Sequence, residues 1–540
     1  MTESVIRIQS LPGIKRDGTR LEGDQYVDGR WVRFQRGLPR KMGGYRSVNK
    51  YLKGVARALH EYTLDLLTYV HAGSADLLEQ FFIDGSFNTS VISDRTPTTL
   101  VASDANLWQF DVDTAAGSGL QILAQVAPNL NCICNSAGGQ VFSGDAFGTG
   151  PLTEITNFPA IYSATGGVLA LHPYTIIFGT DGFVMWSTPG DPTDYTGSGA
   201  GNAYVTGQKL VRGMPLRGGP GNSPSGLLWS ADSLLRITYI GGTETFQFDT
   251  ISAQSSILSA QCVIEYDGVF YWIGTDRFLM FNGVVREIEN TINQNFFFDN
   301  LNYDQRQKVF AMKVPRFGEI WWCFPFGDSI EPNHAIVYNM RENSWYDTPL
   351  PNDGRSAGLF PAVFRKPLMT GVLPTFIDVV TRVTESGDTR IIEGATVVDR
   401  ITEESGDPQY RFWVHEVGTD EIDGLVVNPI QSYFETGDIS LPVQSQISRA
   451  TQVLLIEPDF VQSGDMTVEI HGRANARSPE VNSAPKIITE TPQTPQEQVI
   501  YFKEQRRELR FRFESNTIGG NYETGLILAH IQPGDGTVIG

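Results

Sequence analysis

Apolar and aromatic residues in the middle of the chain occur in short runs that are separated by residues typical of tight turns. The clearest passage, residues 264–288, contains four such runs, divided by Asp267-Gly268, Thr275-Asp276 and Asn282-Gly283. Asp-Gly and Asn-Gly supply the positive φ angles that hairpin turns require. The passage therefore predicts a four-stranded antiparallel meander.

Both faces of this predicted sheet are apolar. Alternate residues are assigned to opposite faces: Phe270, Trp272, Phe278 and Met280 to one, and Tyr271, Ile273, Leu279 and Phe281 to the other. A sheet with two apolar faces must be covered on both sides. A propeller blade is covered in this way by its two neighbours, so we interpret the meander as a blade.

The turn at Asp276 has counterparts elsewhere in the chain. Residues 179–186 match residues 274–281 in residue class at seven of eight positions. Asp181 precedes Asp276 by 95 residues, and Asp232 lies between them, 51 residues after the first and 44 before the second. Such spacings indicate a repeat of about 48 residues, which is typical of propeller blades.

Asp420, which follows Asp276 by 144 residues, extends the series. We therefore predict an all-β fold, an irregular β-propeller of about six to eight blades over residues 51–428. Asp181, Asp232 and Asp276 are interpreted as equivalent blade-turn residues. The alternative is a catalytic set of carboxylates that faces the axial channel, as in propeller glycosidases.

Beyond the predicted propeller the pattern changes to strict alternation of apolar and polar residues. Met466–His471 and Glu508–Glu514 alternate in this way, which is typical of half-buried strands in an antiparallel sheet. We predict a C-terminal antiparallel β-sandwich over residues 429–540. The Pro-rich stretch 478–498 is predicted to be an unpaired loop within it, and residues 366–407 an insertion that projects from the propeller rim.

Charge is distributed unevenly along the chain. The net charge is −20, but the first 60 residues carry 13 Lys and Arg against 5 Asp and Glu, so the remainder sums to −28. An acidic surface repels phosphates, which argues against a body that grips nucleic acid. No apolar run approaches the roughly 18 residues of a membrane span, and no signal-peptide core begins the chain, so we expect folding in the cytoplasm.

Sequence motifs for catalysis or cofactor binding do not emerge. Gly197–Asn202 has the wrong glycine spacing for a dinucleotide loop, and no Gly-x-Ser-x-Gly or His-Glu-x-x-His motif occurs. The seven histidines are scattered, and Cys132, Cys134, Cys262 and Cys323 are expected to be buried free thiols. We predict no catalytic residues, no metal site and no cofactor.

A basic segment near the N-terminus interleaves arginine with aromatic residues. In residues 26–41, Trp31 and Phe34 stand among basic side chains, a pattern that could bind nucleic acid by phosphate contact and stacking. We favour an amphipathic hairpin within a partly extended segment, residues 1–50, whose basic residues pair with the acidic body of this or a neighbouring subunit. The candidate inter-subunit residues are Arg30, Arg33, Arg36, Arg40 and Lys41.

Six passages along the chain carry a resemblance to a known protein family. They are Tyr26–Tyr45, Tyr266–Asn300, Ala335–Trp345, Trp413–Glu416, Tyr433–Asp438 and Leu509–Asn516. Together they resemble the tail nozzle or hub proteins of short-tailed bacteriophages, also called packaged-DNA stabilisation proteins or tail tubular proteins B. The resemblance covers nearly the whole chain and lies in strand-and-turn texture, not in catalytic signatures.

The resemblance implies a β-propeller protomer in a hexameric ring of the virion tail, below the portal and its adaptor protein. The lumen of that ring would conduct genomic DNA without binding it specifically, and its outside would carry tail fibres, spikes or a needle. An acidic wall fits this role, because cations that bind phosphate would hold the moving DNA. The chain is thus expected to be a structural, non-enzymatic protein that assembles in the host cytoplasm.

Two other interpretations stay open on the sequence. A propeller of a phage tail could instead bind carbohydrate or degrade glycans. A soluble bacterial scaffold without a viral link would be monomeric.

Overall fold

The computed structural model describes residues 4–19, 24–64, 67–128, 139–158, 164–216, 223–376, 382–383, 389–390, 408–439, 450–474 and 477–534. These residues form antiparallel β-sheets almost throughout. Helical elements among them are short and include the α-helix Gln294–Asn300 and 3₁₀ turns at Thr180–Gly182 and Tyr303–Lys308. The predicted all-β class is confirmed.

Six four-stranded meanders and a seventh, larger sheet form a β-propeller. Blade 1 contains the strands Ala58–Leu64, Leu67–Gly73, Leu78–Ile83 and Ser93–Asp94, and blade 2 contains Asn106–Ala115, Gly119–Pro128, Gln140–Asp145 and Thr153–Glu154. Blade 3 contains Gly167–Leu171, Tyr174–Phe178, Phe183–Trp186 and Gly201–Tyr204, and blade 4 contains Leu210–Pro215, Ser225–Ser230, Leu234–Tyr239 and Phe246–Ser252. Blade 5 contains Ile264–Tyr266, Val269–Ile273, Phe278–Phe281 and Val285–Glu287, and blade 6 contains Phe310–Val314, Glu319–Phe324, His334–Asn339 and Ser344–Pro349. First strands of most neighbouring blades contact one another around the axis. Seven blades lie within the predicted range, which is confirmed.

Blade 7 is completed by a strand from the beginning of the chain. Its strand order is Arg355–Leu359, Leu368–Phe376, Pro408–His415 and Tyr45–Leu52, followed outward by the hairpin Glu421–Asp423 and Val426–Asn428. The first strand of blade 7 contacts the first strand of blade 1, so the ring is closed. The propeller therefore begins at Tyr45 and not at residue 51.

The insertion predicted at residues 366–407 begins inside blade 7. Leu368–Phe376 is a paired strand of that sheet. Beyond it, Arg382–Val383 pairs with Thr389–Arg390 as a short antiparallel hairpin. The other residues of 377–407 lie outside the described residues.

Blade 5 shows how its neighbours cover both faces of a blade. The ring centroid of Trp272 lies 5.8 Å from that of Trp229 in blade 4. On the opposite face, the centroid of Phe278 lies 4.6 Å from that of Trp345 in blade 6. The predicted meander is confirmed, since both apolar faces are packed against adjacent sheets.

One detail of the predicted blade 5 was wrong. Phe278 is paired with Ile273 and therefore lies on the face opposite to Trp272. The turn between the two strands contains the residues 274–277, and this turn length sets the register. Phe278 and Met280 therefore share a face with Tyr271 and Ile273. Leu279 and Phe281 lie on the face that carries Phe270 and Trp272.

Three further sheets form the C-terminal β-sandwich, which is confirmed. Their strand orders are Ser4–Ile8, Ile527–Pro533, Thr451–Glu457, Ile500–Arg506; Asp28–Arg30, Ser432–Glu435, Glu508–Ser515, Met466–Arg473, Val481–Asn482; and Phe460–Ser463, Asn521–Thr524, Leu38–Lys41, Val32–Gln35. Lys486–Ile488 also pairs with Met466–Arg473, so the prediction that 478–498 stays unpaired was wrong. Its proline residues flank these short strands instead of interrupting them.

Residues 4–41 supply strands to all three sandwich sheets. Ser4–Ile8 and Asp28–Arg30 each add an antiparallel strand to a C-terminal sheet. Val32–Gln35 and Leu38–Lys41 form a hairpin, here called the N-terminal hairpin, that joins the third sheet. The division of the chain at residue 50 does not coincide with a break between sheets.

A single hydrophobic core joins the sandwich to blades 6 and 7. Phe34 of the N-terminal hairpin packs edge-on against Tyr346 of blade 6, with ring centroids 5.5 Å apart. On the other side, Tyr26 packs against Phe434 of the sandwich at 5.8 Å. The N-terminal residues thus form the layer between the two units.

Candidate functional site

Polar side chains bridge the axis of the propeller. The Nε2 atom of Gln261, just before blade 5, donates a hydrogen bond of 2.7 Å to the carbonyl oxygen of Trp108 in blade 2. Gln109 Nε2 donates to the carbonyl oxygen of Val211 in blade 4, at 2.9 Å. Blades 2 and 5 are not neighbours in a ring of seven, so this contact crosses the axis. Side chains therefore cross the centre of the propeller at this level.

Titratable groups lie beside this bridging layer. Arg212 donates to Gln109 Oε1 at 3.4 Å, and burial lowers the pKa of its guanidinium. Burial raises the pKa of Asp111 to about 6, although its carboxylate accepts a hydrogen bond of 2.7 Å from the Ala170 amide. Burial also lowers the pKa of His60 to about 4. These groups belong to a packed polar core that fixes the blades relative to one another.

The blade-turn aspartates occupy equivalent places in three successive blades. Asp181, Asp232 and Asp276 each lie in the turn between the second and third strands of blades 3, 4 and 5. Asp232 accepts from Ser230 Oγ at 3.0 Å, and Asp276 pairs with Arg277 at 3.0 Å. These contacts are local to each turn, which favours the interpretation as turn residues.

Asp420, in contrast, is not a blade-turn residue. It precedes the strand Glu421–Asp423 on the outer side of blade 7, and its Oδ2 atom accepts a hydrogen bond of 2.8 Å from the Gly519 amide of the sandwich. Its spacing of 144 residues from Asp276 therefore does not mark a turn that is equivalent to those of blades 3 to 5.

Arg33 of the N-terminal hairpin is buried in a cluster with two carboxylates. Its guanidinium lies 2.8 Å from Glu319 and is held bidentately by Glu416, at 2.5 and 2.9 Å. Trp321 Nε1 and Tyr346 Oη donate further hydrogen bonds to Glu319, at 2.9 and 2.8 Å. Burial raises the pKa of Glu319, an effect that Arg33 and these donors oppose. Arg33 is therefore an internal residue and not an inter-subunit contact.

The other basic residues of the segment also contact their own chain. Lys41 is buried and donates to the Gly520 carbonyl oxygen at 2.7 Å. Arg36 pairs with Glu523, which lies 3.7 Å from Arg40. Arg36 and Arg40 thus share one carboxylate of their own protomer, and Lys41 is held by a carbonyl oxygen.

Arg30 and Arg36 are the exposed members of the predicted set. Arg30 donates to Gln431 at 3.4 Å on the surface. The Arg36 side chain is 73% exposed, at the positive-φ tip of the N-terminal hairpin. A role for these two residues between subunits stays a prediction.

Sequence reasoning missed a second ion cluster at the junction. Arg16 lies 2.9 Å from Asp347 and 2.6 Å from Asp28. His334 Nε2 lies 3.0 Å from the same buried Asp347. Despite its burial, Asp347 has its pKa lowered to about 2, because Arg16 and His334 stabilise the carboxylate. No local motif marks it, since its members come from the N-terminal segment and from blade 6.

Among the described residues, no group of three or more His, Cys, Asp or Glu side chains is arranged to hold a metal ion. Cys262 and Cys323 are buried free thiols, whereas Cys132 and Cys134 lie outside the described residues. In that same part of the chain, no helix has the length and apolar character needed to cross a bilayer.

An apolar hairpin extends from the outer edge of blade 7, at residues 421–428. Leu425 at its tip is 101% exposed, and Val426 and Val427 are 57% and 40% exposed. Its last strand, Val426–Asn428, has no further strand beside it among the described residues. An apolar free edge of this kind is suited to contact another chain.

Comparison with known proteins assigns no family. No family model and no curated protein matches the chain. Among solved structures, the chain is similar to the crystal structure of the WD40 β-propeller domain of Doa1, with 12% identity and a TM-score of 0.36, over 68% of this chain and 97% of that one. The assignment as a propeller follows from the sheet pairing itself.

Proposed function

We propose that this chain is a non-enzymatic structural subunit of a bacteriophage tail that assembles into a hexameric nozzle ring. The proposal starts from the sequence resemblance of its six passages to nozzle proteins. Its strongest structural support is the joint between the two units, because strands from residues 4–52 belong to sheets of both. A fixed two-part body suits a ring subunit, which must repeat the same contacts with both neighbours.

In this proposal the genome passes between subunits, at the centre of the ring. The propeller axis is an unsuitable path, since Gln109 and Gln261 bridge it. The wall of the lumen would then be an outer surface of a chain whose net charge is −20. Repulsion between this surface and phosphates would let DNA slide past without being held.

The apolar hairpin at residues 421–428 is the proposed contact between neighbouring subunits. It combines exposed Leu425, Val426 and Val427 with a strand edge that has no partner strand within the described part of the chain. Burial of three such side chains removes apolar surface from water on assembly. Adaptor, fibre or spike proteins would bind other surfaces of the ring.

Electron microscopy and light scattering of the purified chain test the proposal. We expect closed rings of six subunits from the wild type, and monomers from the double variant Leu425→Asp/Val427→Asp, because buried carboxylates would oppose the contact. Val461→Asp is the matched control, since Val461 is 76% exposed on a sandwich strand. Rings formed by the double variant would place the contact elsewhere. A wild type that stays monomeric, alone and in purified tails, would contradict the nozzle function.

The propeller fold also suits the alternative, a carbohydrate-binding or glycan-degrading tail protein. The chain can be incubated with surface polysaccharide of the host and assayed for new reducing ends. Release of sugar would favour the alternative. Ring formation without release would favour the nozzle.

A further inference from the structure

A cavity of about 230 Å³ lies where the N-terminal hairpin, blade 6 and two loops of blade 7 meet. Besides Arg33, its lining includes four cationic residues, Arg40, Lys41, Arg316 and Lys366. The whole chain carries a net charge of −20. This cavity therefore has the opposite charge to the molecule that contains it.

Three guanidinium groups converge on one aromatic ring in the wall of the cavity. The Cζ atoms of Arg33, Arg316 and Arg40 lie 3.7, 5.3 and 5.9 Å from the ring centroid of Phe317. Contact with the ring face is favourable for each cation, but cations this close to one another repel. Arg341 holds the turn in place by donating to the two carbonyl groups before Phe317, at 2.7 and 2.9 Å.

Nearby carboxylates balance this charge only in part: Arg33 is shared by Glu416 and by Glu319, which lies outside the lining. Glu416 is the acidic residue of the lining, and Arg33 already holds both of its oxygens. Glu523 is 3.7 Å from Arg40 but also pairs with Arg36. Both carboxylates are therefore committed to guanidinium groups.

The remaining cations bind carbonyl oxygens or a ring face. Lys41 Nζ donates to Gly520 at 2.7 Å, and Lys366 Nζ donates to the carbonyl of Glu416 at 2.5 Å. Burial lowers the pKa of Lys41 to about 8, an effect that Asp420 opposes, so the amine is mostly charged at neutral pH. Within the described residues, Arg316 and Lys366 form no ion pair with a carboxylate. Both keep donors that a bound anion could use.

A larger cavity on the propeller provides a contrast. It has a volume of about 650 Å³ and is lined by Arg57 and Lys308 among others. Both cations pair with Glu331, at distances of 2.5 and 3.0 Å. The whole lining of the larger cavity also includes Lys53, Asp76 and Asp104, so its three cations face three carboxylates, whereas cations outnumber carboxylates in the smaller cavity.

We infer that the smaller cavity binds a compact oxyanion of the phosphate class, contacted by Arg40, Arg316 and Lys366. Its volume accommodates a tetrahedral phosphoryl group but not a nucleic acid duplex. Guanidinium and ammonium donors form short, charge-assisted hydrogen bonds with such oxygens. The phosphoryl group could belong to inorganic phosphate or to a nucleoside monophosphate. Binding would lock the N-terminal hairpin to blade 6, whatever the larger role of the chain.

Isothermal titration calorimetry of the full chain with sodium phosphate tests this inference, in chloride buffers of matched ionic strength. We expect saturable binding at pH 7, weakened about tenfold or more by Arg316→Gln or Lys366→Gln, because each removes a charge-assisted donor. Arg286→Gln is the control for loss of one charge, since Arg286 is exposed on the outer strand of blade 5. It should bind phosphate like the wild type. Equal melting temperatures would show that the variants are folded.

Two further titrations identify the source of the phosphoryl group. Tighter binding of a nucleoside monophosphate would assign a nucleotide, and equal affinity would assign free phosphate. Absence of saturable binding, or equal weakening in all three variants, would overturn the inference. Acetate that competes as strongly as phosphate would also overturn it, because the cavity would then recognise carboxylates.

Discussion

Arg33 brings a positive charge into the interior at the junction of the two units. Its side chain is 1% exposed, and Glu319 and Glu416 make this burial tolerable by sharing the charge. Such a cluster adds little net stability, yet loss of one partner is costly, because a buried charge is left uncompensated. Arg33 therefore defines where the N-terminal hairpin lies against blade 6.

His60 gives the propeller a pH-dependent stability. Its Nε2 atom is buried and has no hydrogen-bond partner among the described residues, and burial beside Arg212 lowers its pKa from 6.5 to about 4. The unfolded chain binds this proton more readily, so the stabilisation is complete above pH 6.5 and is lost as the pH falls towards 4. We expect the free energy of unfolding to fall by up to about 3 kcal/mol from this group.

Thermal melting of the wild type and of His60→Gln between pH 7.5 and 4.5 measures this effect. The melting temperature of the variant should fall less on acidification than that of the wild type, since glutamine does not titrate. His172→Gln is the control, because the side chain of His172 is 63% exposed, and it should behave like the wild type. Parallel curves for His60→Gln and the wild type would contradict the assignment.

Sequence reasoning recognised the basic residues of the N-terminal segment but not their partners. Arg33 was a candidate for pairing with the acidic body of this or a neighbouring subunit, and its carboxylates belong to the same chain, 286 and 383 residues away. The distribution of charged residues along a sequence shows only where one sign of charge is in excess. Which acidic residue pairs with which basic residue over such distances depends on the tertiary fold. The turn aspartates were easier to predict, because turn chemistry is local.

At the scale of elements, the strands of one blade are neighbours in sequence, whereas the strands that close the ring are far apart in sequence. The meander of blade 5 followed from its Asp-Gly and Asn-Gly turns, since hairpin partners are adjacent in sequence. Tyr45–Leu52, in contrast, pairs with Pro408–His415 at the other end of the propeller. No local pattern indicates that partner, so the strand was assigned to the basic segment.

Closure of blade 7 can be tested by a proline in its closing strand. Val48 is buried and lies opposite Phe412 in the ladder. Val48→Pro removes a backbone donor from the strand that closes blade 7, so we expect a cost of about 1–3 kcal/mol beyond that of Val48→Ala. Thermal melting and protection of Pro408–His415 from hydrogen exchange measure it.

Val285→Pro is the matched control for the closing strand. Val285 lies on the outer strand of blade 5, which is the free edge of that sheet, where proline is better tolerated. If Val285→Pro lowers the melting temperature as much as Val48→Pro, the strand Tyr45–Leu52 has no special role in holding the ring closed.

At the scale of the whole molecule, the N-terminal residues make one body of two units. The core cluster that contains Phe34 extends from blades 6 and 7 into the sandwich. Alternation predicted the sandwich strands, but the contribution of residues 4–41 to its sheets was not predicted, because short strands with partners hundreds of residues away carry no periodic signal of their own. The domains predicted from the sequence therefore lacked the strands that residues 4–41 add to the C-terminal sheets.

The shared core predicts that propeller and sandwich unfold together. We expect a single calorimetric transition for the wild type and two for Phe34→Ala, because a cavity at the junction costs about 3–5 kcal/mol and weakens the coupling between the units. Phe142→Ala is the control, since Phe142 is equally buried but lies in blade 2, away from the junction. It should lower the transition temperature without splitting the transition. Two transitions in the wild type, or the same splitting in both variants, would mean that Phe34 does not couple the units.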